Sequence, residues 1–164
     1  MPARCSTISV VGVMGVFQQL TTLHLLKWAS MALRITTRED HTPVKVENRT
    51  QLDEVLYAAS EEARTSKKLN GVVIEADNGN TLLMVVGGEE TVLIFNDGGP
   101  DPTYYASKGA SDDDEPVMTC YITFQHHTEF PRQHVISFVD GVKAVHEFLD
   151  SDDLPACINW DAAS

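Results

Sequence analysis

The sequence predicts an α+β fold: an antiparallel sheet of about five to six strands with two amphipathic helices packed on one face. Three features predict it. Thr50-Gln-Leu-Asp53 and Ser137-Phe-Val-Asp140 fit the Ser/Thr-x-x-acid pattern of a helix start, and each opens an apolar stripe of helical period. Between them lie β-branched runs separated by the turn pairs Asn78-Gly79 and Gly87-Gly88. Residues 117–124 then alternate, with Met118, Cys120, Ile122 and Phe124 on one face and Thr119, Tyr121 and Thr123 on the other.

Taken in order, the first helix carries Leu52, Val55, Leu56, Ala59 and Ala63 on one stripe. Gly71 to Ala76, Thr81 to Val86 and Thr91 to Phe95 read as a three-strand meander. Tyr104-Tyr105 reads as a short fourth strand and Val117 to Phe124 as a fifth. The second helix carries Phe138, Val142, Val145 and Leu149 on its stripe. Ala156 to Trp160, opened by Pro155, is the expected last strand. Asn96 to Pro102 is a turn region, and Lys108 to Pro116 is a loop holding Asp112, Asp113, Asp114 and Glu115 in a row.

The chain of 164 residues is about one domain long. Its 12 Lys and Arg stand against 24 Asp and Glu, a formal charge of −12. Such a surface repels phosphate backbones, so direct binding to nucleic acid is disfavoured and a basic partner is expected. The charge is uneven. Residues 1–30 hold Arg4 and Lys27 and no acid, so the remaining 134 residues carry ten bases against all 24 acids. Residues 1–30 are therefore expected to be an N-terminal extension that the globular unit, 31–164, does not need. The bland account is a true start at Met31; a weak secretory signal and a peripheral helix are the alternatives. The ten residues from Ile8 to Phe17 are too few to span about 30 Å of hydrocarbon, so no membrane role is expected.

Cys5, Cys120 and Cys157 form no Cys-x-x-Cys pair, and buried free thiols in a reducing cytoplasm are the default. A Cys120–Cys157 bridge is the minority alternative. No nucleophile elbow, phosphate loop or His-Glu-x-x-His is present. The densest polar stretch is Gln125-His126-His127-Thr128-Glu129-Phe130-Pro131-Arg132. Two imidazoles and a carboxylate suit zinc, but neighbouring strand residues point to opposite faces, which keeps His126 and His127 from sharing one ion. A polar loop with hydrogen-bonded imidazoles is the bland account. The Asp112–Glu115 run lacks calcium-loop spacing. It is either a solvated, mobile loop or a negative patch that docks on a basic partner. Tyr104, Tyr105, Tyr121 and Trp160 are candidate aromatic anchors, each also a candidate core residue.

The segment Cys120-Tyr-Ile-Thr-Phe-Gln-His-His-Thr-Glu-Phe-Pro131, then a helix ending Glu147-Phe148-Leu149, then Pro155 and Ile158-Asn159-Trp160, resembles the first immunity-protein family of bacterial polymorphic toxin systems. The resemblance covers Leu33 to Asp161 and is more specific after Tyr104 than before it. The glycine-rich turn of that family is replaced here by Ser151-Asp152-Asp153. The resemblance implies a non-enzymatic, cofactor-free cytoplasmic protein that binds and neutralises a cognate secreted toxin. Nucleic-acid deaminases are among the toxins so paired, and a nuclease also fits. Such toxins need a basic groove, for which an acidic domain is a suitable plug. The toxin-binding residues expected on this reading are Glu129 and Asp112, Asp113, Asp114 and Glu115 for charge, with Tyr104, His126, His127 and Phe130 for shape. Trp160 is expected in the core. The rival readings are a small metal-dependent hydrolase using His126, His127 and Glu129, and a regulator or adaptor of the same fold.

Overall fold

The computed structural model describes residues 32–37, 42–121 and 126–163, and the reading of residues 1–30 falls outside them. The α+β expectation holds, with more strands than the sequence suggests. Strands β1 (Leu33–Thr36) and β2 (Val44–Val46) precede helix α1 (Arg49–Ser66). Then follow β3 (Leu69–Glu75), β4 (Thr81–Val86), β5 (Glu90–Thr91), β6 (Leu93–Asn96), β7 (Tyr104–Ser107), β8 (Pro116–Tyr121) and β9 (His127–Pro131). A 3-10 turn (Arg132–His134) and β10 (Ile136–Ser137) lead into helix α2 (Phe138–Ser151), and β11 (Trp160–Ala163) closes the chain described. The main sheet runs β11-β7-β6-β4-β3-β1-β2. The β8–β9 hairpin joins it through a short parallel contact of β8 with β3, the one parallel pairing among the described residues. β5 and β10 form a separate two-residue pair.

Side-chain alternation sets the layers. On β4, Leu82, Met84 and Val86 face the helices, together with Leu93 and Phe95 of β6. Leu52, Leu56, Ala59 and Ala63 of α1 and Ala144, Val145, Phe148 and Leu149 of α2 cover them, so both helices lie on one face as expected. Val85 of β4 points the other way and packs with Val92, Met118, Cys120, Phe130 and Val135 in a second, smaller core. The hairpin thus covers part of the face left open by the helices. Gly141 lets α2 approach the sheet closely: a Cβ there would lie 2.5 Å from Thr91 Cγ2.

Four local expectations are corrected. The cap of α1 is Asn48, not Thr50: its side chain accepts the Gln51 N–H at 2.9 Å, and the Gln51 amide oxygen accepts the Glu47 N–H, also at 2.9 Å. The Ser137 cap stands, with its hydroxyl accepting from Asp140 N at 3.1 Å. The run Thr91 to Phe95 divides into β5 and β6. The last strand starts at Trp160 rather than Ala156, because the Glu147 carboxylate takes the Ala156 and Cys157 N–H groups (2.9 and 3.0 Å) before any ladder can. The Ala156 N–H first, then the Cys157 thiol, and least the Cys157 N–H hold Glu147 below its ordinary carboxylate range. Cys157 consequently sits exposed in a loop, not buried in a strand, and both Cys120 and Cys157 are free thiols. Trp160 packs edge-on against Phe95 at 6.5 Å and donates its indole N–H to Pro155 O at 2.7 Å, a core placement.

The Ser151-Asp152-Asp153 turn ends α2 without glycine. Asp152 itself takes the left-handed conformation (φ 56°), and its carbonyl accepts the Asn78 and Asn80 side-chain amides at 2.7 and 2.8 Å. Its Oδ1 is buried without a hydrogen-bond partner among the described residues. Burial, with Asp77 nearby, pushes its pKa up, so the folded state disfavours the charged carboxylate. This penalty is absent below the unfolded-state pKa and grows as pH rises through the folded one. Asp152→Asn keeps a residue tolerant of left-handed backbone and removes the charge. It is expected to raise Tm by about 3 °C at pH 7, roughly 1 kcal/mol, with the gain gone near pH 3. A thermal melt at both pH values checks this.

Candidate interaction surface

Backbone hydrogen bonds tie the acidic run to its neighbours. Gln133 N donates to Asp113 O at 2.8 Å and Arg132 N to Glu115 O at 3.0 Å, which ties the run to the 3-10 turn. Within it, Asp113 Oδ1 accepts the Glu115 N–H at 3.0 Å and Ser111 Oγ the Asp113 N–H at 3.1 Å. Gly109 begins this segment because nothing larger fits: a Cβ would lie 2.3 Å from Val135 O. Behind it, Ser107 Oγ donates to His134 O at 2.6 Å and accepts from Leu93 N at 3.0 Å. The backbone is held, while all four acidic side chains are exposed. Asp112 helps hold the charge of Lys108, whose closer partner is Asp161 at 3.0 Å. Asp114 and Glu115 have no ion-pair partner among the described residues.

The hairpin continues from this loop. Pro116 faces Pro131 at its base, Met118 faces Phe130, Thr119 faces Glu129, Cys120 faces Thr128 and Tyr121 faces His127. Pleating divides these residues between two sides. Met118, Cys120 and Phe130 point into the second core. Thr119, Tyr121, His127 and Glu129 share the outer side. The segment expected to be a polar loop is therefore largely a strand, His127–Pro131, preceded by exposed His126. Tyr121 lies between His127, ring centroids 6.1 Å apart, and Lys68 Nζ, 5.0 Å above its ring. Glu129 is exposed and accepts no hydrogen bond from the described residues. By strand rise it lies about 10 Å along the hairpin from Arg132 and the acidic run.

The structure thus joins Asp112, Asp113, Asp114, Glu115, Glu129 and His127 along one loop and hairpin. It does not bring Tyr104 to them. Tyr104, 45% exposed, begins β7, whereas the acidic run follows the end of that strand. Phe130 is 7% exposed, so its ring fastens the hairpin to the sheet and is not displayed. Tyr105 is half-buried against Phe95 at 6.3 Å. Burial pushes the Cys120 thiol up to about 12, and partial burial with the adjacent Glu147 pushes Cys157 to about 11, so neither forms a thiolate near neutral pH. Among the described residues no three His, Cys, Asp or Glu side chains cluster as metal ligands, and no helix is long and apolar enough to cross a membrane. Sequence reasoning passed over Lys68 and Gly109, which reach this surface by long-range contacts that leave no local signature.

The exposed carboxylates, on a backbone tied to the 3-10 turn, make this part of the α+β domain strongly acidic. The family model for immunity protein Imm1 matches residues 40–162, three quarters of the chain, and the chain belongs to this family. Comparison with curated proteins gives no match.

Proposed function

We propose that this protein binds a cognate secreted bacterial toxin in the cytoplasm and neutralises it by covering a basic functional surface, with no chemistry of its own. Family membership supports the immunity role. The observation that carries the docking surface is the exposed Asp112–Glu115 run on a backbone fixed by the 3-10 turn. Fixed carboxylates lose little entropy on docking and favour a basic partner. A toxin acting on nucleic acid, a deaminase or a nuclease, supplies such a surface. Glu129 and His127 extend the contact along the hairpin, with His126 beside them, and Tyr104 and the buried Phe130 stay outside it.

The electrostatic part is tested by rates. Association with a cognate toxin domain should slow at least tenfold between 0.05 and 1 M salt, as the screening length falls to about 3 Å. Neutralising Asp112, Asp113, Asp114 and Glu115 together should flatten that dependence. A wild-type rate that ignores salt removes the electrostatic account, and absence of binding removes the immunity reading for that toxin.

A further inference from the structure

The main sheet has three open edges among the described residues: β2 and β11 at its ends, and β9 on the outer side of the hairpin. In an edge strand every second residue turns its N–H and C=O away from the neighbouring strand. The three edges differ in the charge they carry. β2 is three residues long, and its central Lys45 pairs with Glu47 at 2.6 Å. On β11, Asp161 pairs with Lys108 at 3.0 Å. β9 is the longest of the three at five residues and holds no lysine, a common guard of exposed edges. Its Glu129 has no ion pair among the described residues.

β9 pairs with β8 alone and displays His127, Thr128 and Glu129. Its one large apolar side chain, Phe130, is buried. The strand therefore offers a partner backbone groups and charge, not an apolar groove in which a helix could lie. Asp114 and Glu115 also lack ion pairs among the described residues, and they lie at the base of the hairpin, where Glu115 O accepts the Arg132 N–H at 3.0 Å. The bases nearby are engaged: Arg132 pairs with Glu90 at 2.9 Å, and Lys68 sits above the ring of Tyr121. A guest strand along β9 would pass Glu129 and approach these acids, so complementarity calls for lysine or arginine in it. A second copy of this chain, at a formal charge of −12, answers that demand poorly.

We propose that β9 receives an extended segment of the toxin as an added strand, with a lysine or arginine facing Glu129. This rests on the immunity reading and states how the toxin engages the same hairpin. The outward N–H and C=O groups of β9 bind the guest backbone whatever its sequence, and Glu129 with the acidic run selects a basic one.

The test is residue-resolved amide exchange by NMR on the labelled full chain, free and with a cognate toxin domain. In the free chain β8 holds alternate amides among residues 127–130, and the other pair exchanges freely. Toxin should slow that second pair at least tenfold. Glu129→Lys, which sets a base against the guest's base, should weaken toxin binding more than Glu129→Gln does, with Tm within 2 °C of wild type. An outward pair already protected in the free, monomeric chain means that the chain covers its own edge, and the proposal falls. Toxin that binds without slowing that pair overturns strand addition and leaves the immunity reading intact. A chain that binds no cognate toxin loses the immunity reading and this occupant together. Protection that grows with protein concentration in the absence of toxin assigns the edge to a second copy instead.

Discussion

Phe148→Ala is expected to lower Tm by about 10 °C, a loss of roughly 3–5 kcal/mol. Phe148 is fully buried on the inner side of α2 and meets Phe95 edge-on, ring centroids 6.1 Å apart at 85°. Phe95 in turn touches Tyr105 and Trp160, so one aromatic group ties α2, β6, β7 and β11 together. Removing the ring leaves a cavity that Gly141 and the close α2–sheet contact keep from collapsing. A domain of this size has about 5–15 kcal/mol in total, so the variant would approach the edge of folding. Phe148→Leu, which keeps much of the volume, should recover about half the loss. Urea titration checks both. A change under 1 kcal/mol for the alanine variant would mean that the helix does not pack as described. Affinity of the acidic run and hairpin for a toxin, measured well below the lowered Tm, should be unchanged, because Phe148 packs in the core under the helices while the β8–β9 hairpin covers the opposite face of the sheet.

The helices were legible because their signals are local. Ser137 and Asp140 are three residues apart, and a stripe such as Leu52, Leu56, Ala59 and Ala63 repeats within one turn of itself. The short strands were not. β9 has one buried apolar residue in five, Phe130, because it pairs with β8 alone and shows its other side to solvent. Period-two patterning fades at such an edge. The end of the chain was misread for another reason. Pro155 and the apolar Ile158 look like a strand, but the Glu147 carboxylate, some ten residues upstream, claims the amides first.

The charge of the acidic run was legible and its order was not. Four acids in a row are visible in any reading, and alone they suggest a solvated loop. What fixes them is the N–H of Gln133, twenty residues on, and a glycine at 109 whose need appears only when Val135 O is placed beside it. Phe130 shows the converse. Its position in a polar stretch suggests display, yet pleating turns it to the core and Glu129 outward. Two adjacent residues thus separate into a fastening and a candidate contact, a division that follows from strand geometry once β9 is known to be a strand.

That division makes Glu129→Gln the sharpest test of the hairpin. The carboxylate is exposed, opposite Thr119, and takes no hydrogen bond from the described residues. The substitution keeps shape and removes one charge, so stability should move by no more than about 0.5 kcal/mol. A metal ligand or a loop-holding acceptor would behave differently, the first losing bound metal and the second costing about 1–3 kcal/mol. In the toxin complex the same carboxylate is expected to meet a basic side chain and lose its water. Breaking such a pair costs about 2–4 kcal/mol, roughly 30- to 1000-fold in Kd, mostly through faster dissociation. Melting temperature and toxin affinity are measured on one sample. Unchanged melting with lost affinity places Glu129 in the interface, and lost melting gives it a structural role. If neither moves, the toxin contacts the acidic run without the outer side of β9.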